Sequence, residues 1–288
     1  MDSQLRKKCI SLELINQVPA ISPARLKIQT AQLAKVFSEP VAFVRYLHLI
    51  FDQYADRTYR HGQSGEPLPL ILAYRVKPPV LKQILMELSP LTTAEPQQAL
   101  ALCDALWEQP YLEFRLLAAS LLGQIPPVPP EPIISRIQAW IQKGTDAKLI
   151  DAMITKGTIR LKQENLPIVI RLAENCLSSK DRHLQKIGLQ LLLTVIQDPR
   201  VENLPPIFTL IQPLVRSSHH DLHPELIDIL QAFAQRSPKE TAFFLQQTID
   251  LPNSPDAPWN TRQVLSKFPL DLQSNLRIIL REKSLEIK

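Results

Sequence analysis

Glycine and aromatic residues are both scarce, with six glycines in 288 residues and aromatics at 6%. A β-sandwich or barrel needs Gly-rich turns and alternating β-branched or aromatic runs, so this scarcity argues against a strand-built domain. Cysteine is scarcer still: Cys9, Cys103 and Cys176 lie far apart with no CxxC spacing, which argues against a zinc or redox motif. Cys103 and Cys176 read as small buried core residues, and an odd count without a disulfide framework suits a reducing cytoplasm. No uninterrupted apolar run approaches the ~18 residues of a membrane span. Met1–Lys8 is polar and charged, so no secretory leader is expected. GxGxxG, Walker-type, GxSxG, HExxH and DxDxDG patterns are all missing. Their absence points away from the nucleotide sites, hydrolase elbow and metal sites they build, and no cofactor is expected.

What remains is an ordinary globular composition, 45% hydrophobic and 21% charged, in a chain long enough for a large core. Most of the 26 prolines fall between helical patterns, as stops and starts. Helices are predicted over 4–16, 22–37 and 40–55. Past a polar loop at Asp56–Pro69, two more run from Pro78 to Leu88, stopped by Ser89-Pro90, and from Glu95 to Leu106. From Tyr111 the pattern becomes repetitive, with segments at about 111–125, 131–143, 146–160, 165–178, 182–196, 204–217, 222–236 and 238–250. Apolar residues recur three and four apart, as in Leu226, Ile227, Ile229, Leu230 and Phe233. Glu113, Asp181 and Asp221 open successive first helices, a period of roughly 35–40 residues. No single helix pair can bury both its faces, but a stack of pairs can. The expected fold is all-α: a HEAT-like or armadillo-type helical-repeat solenoid, an α-α superhelix. One domain is expected over 1–288, made of N-terminal helices (1–90), core repeats (91–250) and a C-terminal cap (251–288) with helices at about 259–267 and 270–284.

The net charge of +5 is unevenly spread. Lys and Arg outnumber Asp and Glu by 12 to 7 over residues 1–90 and by 10 to 6 over 131–190; over 91–130 and 191–288 the balances are 1 to 4 and 10 to 11. A phosphate-binding surface needs such clustering, although a solvated polar face shows it too. Lys143, Lys148, Lys156, Arg160, Lys162, Lys180, Arg182 and Lys186 gather in the middle repeats as candidate DNA-phosphate contacts, each adding salt-dependent affinity without sequence information. Trp107, Trp140 and Trp259 can stack on bases, but helical spacing assigns Trp107 and Trp140 to the repeat core. His219 and His223 share a helix face by spacing, with His220 and Asp221 between them. A loop-and-cap reading is simpler, and no metal is expected.

The segment Ala105-Leu106-Trp107-Glu108-Gln109-Pro110-Tyr111-Leu112-Glu113-Phe114-Arg115 resembles the repeat opening of the AlkD-type DNA alkylation-repair family: a leucine–tryptophan, a short turn, then Glu–hydrophobic–Arg leading into a long helix. Tyr74 to Lys82 is similar to that family's hydrophobic-x-x-Pro segment before a basic helix, and His183-Leu184-Gln185-Lys186 to its Leu-Gln-Arg. The resemblance runs from about residue 40 to 250. It implies HEAT-like repeats that hold duplex DNA in a basic concave groove and, in active members, excise cationic N3- and N7-alkylpurines without a metal. A carboxylate beside the sugar then stabilises the positive charge that develops as the glycosidic bond breaks. The family's Trp-Trp-Asp-x-x-Asp segment corresponds to Thr145–Asp151. Asp151 matches the catalytic carboxylate, Lys148 replaces the first Asp, and neither tryptophan is present. Lys186 replaces an arginine, keeping the charge but losing the bidentate fork. The family's later tryptophan and arginine correspond to Ile229 and Ala232. Asp151 also has a plain reading as an acid in the first turn of a helix.

Three functions follow. The favoured one is a relative that binds duplex DNA through the basic groove. A second is an active 3-methyladenine/7-methylguanine glycosylase using Asp151, and a third is a HEAT-type scaffold gripping a protein partner. A cytoplasmic location is expected, with nucleoid association if DNA is bound.

Overall fold

The computed structural model describes residues 22–57, 71–143 and 146–286. The expected helix at 4–16, Cys9 and most of the loop at 56–69 lie outside the described residues. Every named element among the described residues is helical, and the one strand-type pairing is an isolated bridge between Leu72 and Tyr111. No described helix is long and apolar enough to cross a membrane. Contacts group the chain into two compact units, Met1–Leu161 and Lys162–Lys288.

The first unit contains α1 (Pro23–Ala34), α2 (Pro40–Tyr54), α3 (Pro78–Ala94), α4 (Pro96–Trp107), α5 (Leu112–Leu122), α6 (Glu131–Lys143), α7 (Ala147–Ala152), a π turn (Met153–Gly157) and the start of α8 (Ile159–Glu164). Prolines open α1 to α4, where the missing N–H is one that a first turn leaves unbonded anyway. Packing follows one rule through most of the unit. Helices touch the next in sequence, as α3 on α4 and α4 on α5, and the next but one, as α1 on α3, α2 on α4 and α3 on α5. Phe43, Phe51, Leu88, Leu102, Leu106, Phe114 and Leu117 are buried between them.

The same rule orders the second unit, made of α9 (Leu166–Leu177), α10 (Arg182–Ile196), α11 (Pro205–Arg216), a 3-10 turn (His220–Leu222), α12 (His223–Arg236), α13 (Pro238–Asp250), α14 (Ala257–Val264), a second 3-10 turn (Leu265–Lys267) and α15 (Leu270–Glu286). Here α9 packs on α10, α10 on α12, α12 on α14, α11 on α13 and α13 on α15. The α9–α10 hairpin is tight at Gly188, where a Cβ would sit 2.9 Å from the Leu177 side chain and 3.0 Å from the Ala173 carbonyl oxygen.

Two local expectations change. Pro90 does not stop α3, which continues to Ala94. Pro90 lies on the exposed face, so the backbone bond it forfeits faces water, while Leu88 and Thr92 stay buried on the other side. The segment expected as one helix over 146–160 is broken by the π turn. Its Lys156 carbonyl fills the space a Cβ would take at Gly123, and a Cβ at Gly157 would lie 3.5 Å from the Ala119 carbonyl oxygen. Fitting the chain against the end of α5 takes the extra residue that a π bulge supplies.

The Glu–hydrophobic–Arg sequence at the start of α5 turns out to hold two connections. Glu113, only 4% exposed, accepts from three backbone N–H groups: Tyr74 at 3.0 Å, Arg75 at 2.5 Å and Val76 at 3.3 Å. Arg75 has φ 58, a left-handed conformation unfavourable for a side-chain-bearing residue, and the carboxylate holds it there. Arg115 Nε donates to the carbonyls of Trp107 and Gln109, both at 3.0 Å, and its guanidinium lies 5.6 Å from the centre of the Trp107 ring. Glu113→Ala leaves three donors without their acceptor, so its unfolding free energy in urea should fall by about 3 kcal/mol; a loss under about 1 kcal/mol would mean that the clamp carries little stability.

Candidate nucleic-acid interface

The candidate residues of the first unit lie on consecutive short elements. Lys143 ends α6 and is exposed. Asp146 caps α7, its Oδ1 accepting from the backbone N–H of Lys148 at 3.0 Å and of Leu149 at 3.2 Å, and it is 5% exposed. Lys148 and Asp151 are both exposed and, three residues apart, share a face of α7. Lys156 is exposed in the π turn. Asp151 is the fifth residue of α7, so the first-turn duty suggested by the sequence falls to Asp146 instead.

Arg160 departs from the expectation of a solvent-facing phosphate contact. Its Nη1 donates to the Gln124 carbonyl at 2.8 Å and reaches Thr93 Oγ1 at 3.5 Å, tying α8 to the end of α5 and to α3. Trp107 and Trp140, buried at 8% and 5% exposure, stack on each other at 4.2 Å with a 4° interplanar angle. They are core residues, as their spacing implies.

In the second unit, three of the candidate cations have carboxylates beside them. Arg182 pairs with Asp221 at 3.4 Å and Lys186 with Glu225 at 3.9 Å. Both pairs join α10 to the segment 39 residues further on, and each partner set is spaced four apart, which makes a two-rung ladder. Lys162 is half-buried; burial lowers its pKa, opposed by the charge of Asp198. Asp198 is itself held down at about 2 by its hydrogen bonds from Arg200. Lys180 is exposed. Trp259, 38% exposed, packs against His223 with ring centroids 4.5 Å apart and tilted by 32°. Sequence reasoning missed the ladder, although overlaying the repeat period on the charges at 182, 186, 221 and 225 reveals it.

Taken together, the described residues are helical, and the middle segment carries exposed lysines and an exposed carboxylate on successive elements. The chain belongs to the DNA alkylation repair enzyme family, whose model matches residues 72–265, more than half of its length, and this places its function in DNA alkylation repair. No curated protein and no solved structure matches the chain.

The two aspartates of α7 should separate cleanly. Asp146→Ala removes an N-cap and should cost about 1 kcal/mol of stability by thermal or urea melting. Asp151→Ala should stay within about 0.5 kcal/mol of the parent. Equal losses would contradict the assignment of the cap.

Proposed function

We propose that the protein is a HEAT-like helical-repeat protein that binds duplex DNA through basic side chains of its middle segment, acting in the cytoplasm on nucleoid DNA. The observation that carries this reading is the run of exposed lysines, Lys143, Lys148 and Lys156, on successive elements inside the family-matched span. Packing of most helices on a neighbour one or two along, within each unit, supports the repeat assignment. So does the recurrence of one bracket: Gln185 Nε2 reaches the carbonyls of Leu177 and Ser179, eight and six residues back, as Arg115 does with Trp107 and Gln109. Arg160, Lys162, Arg182 and Lys186 are secondary contributors, because their present contacts must loosen before they meet a phosphate.

A mobility-shift titration of plain and methylated duplex DNA at several salt concentrations tests the proposal. Affinity should fall as salt rises, and the triple variant Lys143→Gln, Lys148→Gln, Lys156→Gln should flatten the log–log slope by about 0.9 for each phosphate contact removed. Affinity that is independent of salt would overturn it, and a stoichiometric protein partner recovered in its place would favour the scaffold reading.

One observation favours a second reading, that of an active glycosylase. Because Asp146 holds the cap, Asp151 is left as an exposed carboxylate without that structural duty, in the position the family pattern gives to its catalytic acid. Such a group would stabilise positive charge building on the sugar as a cationic alkylpurine departs. Incubation with methylated DNA should then release 3-methyladenine or 7-methylguanine, and Asp151→Asn should abolish the release while leaving DNA affinity intact. Release no greater than in a protein-free control would dismiss this reading and leave the binding proposal standing.

A further inference from the structure

The turn that opens α12 gathers three side chains able to bind a metal. His219 is extended (φ −68, ψ 141), and the chain then tightens into the 3-10 turn His220–Leu222. That change of direction brings consecutive side chains together. The two imidazole centroids are 4.2 Å apart. His219 Nδ1 lies 3.1 Å from Asp221 Oδ2 and His220 Nε2 lies 2.9 Å from Asp221 Oδ1. One ligand atom from each residue can be chosen so that all lie within 4.8 Å of one another. Leu222, 1% exposed, anchors the turn in the core.

A second feature is that Asp221 reaches both rings at once. Its backbone N–H lies 3.3 Å from His219 Nδ1, and each of its two carboxylate oxygens faces a nitrogen of a different imidazole.

We infer that His219, His220 and Asp221 form a binding site for one divalent transition-metal ion of the zinc, nickel or copper class. Two imidazole nitrogens and one carboxylate oxygen suit these borderline ions, whereas calcium and magnesium require oxygen-rich sets. Three protein ligands leave positions for water. The His220 side chain is 77% exposed, so the site is open to ions from solution. Arg182 is the nearby cation: it holds Asp221 Oδ2 at 3.4 Å, and a bound metal competes with it for the carboxylate. Metal binding therefore loosens one rung of the α10–α12 ladder and frees Arg182.

Calorimetric titration of the full chain with Zn²⁺, Ni²⁺ and Cu²⁺ in a non-chelating buffer tests the site. One equivalent should bind, and His219→Ala and His220→Ala should each weaken binding by at least about tenfold. Arg182→Gln should strengthen it about twofold to fivefold, the worth of an exposed ion pair. Electron paramagnetic resonance of the Cu²⁺ form should show splitting from two imidazole nitrogens, reduced to one in either histidine variant. His219→Ala loses the ring that faces the Asp221 N–H and should melt slightly below the parent, whereas the more exposed His220→Ala should melt as the parent does. No binding, or binding unchanged in the His219→Ala, His220→Ala double variant, would overturn the inference.

Discussion

Every helix leaves carbonyl oxygens unbonded at its end, and this structure depends on side-chain donors that reach them. A buried carbonyl without a donor costs as much as a lost hydrogen bond, and the tight turns between paired helices leave little room for water. Arg115 closes the end of α4, and Gln185 closes the end of α9. Arg160 serves the Gln124 carbonyl, and Arg236 gathers the carbonyls of Ile196, Asp198 and Val201. Asn260, fully buried, donates to Val215 at 3.0 Å. The planar guanidinium, with several donors in one fork, fits this duty better than an ammonium. Basic residues here accordingly divide by type: much of the arginine is structural, whereas Lys143, Lys148 and Lys156 are exposed at the surface.

That division explains why the fold was more legible than the site. Apolar spacing and proline punctuation located α6, α10 and α13 to the residue, because each has a wide buried face and a clear boundary. Cys103 and Cys176 are buried, as expected of small core residues. Pro90 and the π turn escaped because both depend on a neighbour: which face meets water in one case, and where α5 ends in the other. The roles of Arg160, Arg182 and Lys186 escaped for the same reason. A charge count registers a cation but not the carbonyl or carboxylate placed beside it by a residue more than thirty positions away.

The segments that carried the family resemblance turn out to do architectural work. Glu113 and Arg115 belong to one of them and Tyr74, Arg75 and Val76 to another, and the two meet in a single hydrogen-bonded clamp. An aromatic group around it adds to the junction: Tyr74 stacks on Tyr111 at 4.6 Å, and His48 Nδ1 lies 2.8 Å from the Tyr74 hydroxyl. A motif kept for packing identifies a lineage without fixing its chemistry. The segment to which the resemblance assigns chemistry holds Lys148 and the cap Asp146, and there Asp146 serves the helix end.

The ladder between α10 and α12 makes the spacing of its two halves a quantity the chain must conserve. Arg182 and Lys186 meet Asp221 and Glu225 together because four residues separate the two members on each side. Adding or deleting one residue between Arg182 and Lys186 would turn the second of them about 100° around α10 and leave at most one rung aligned.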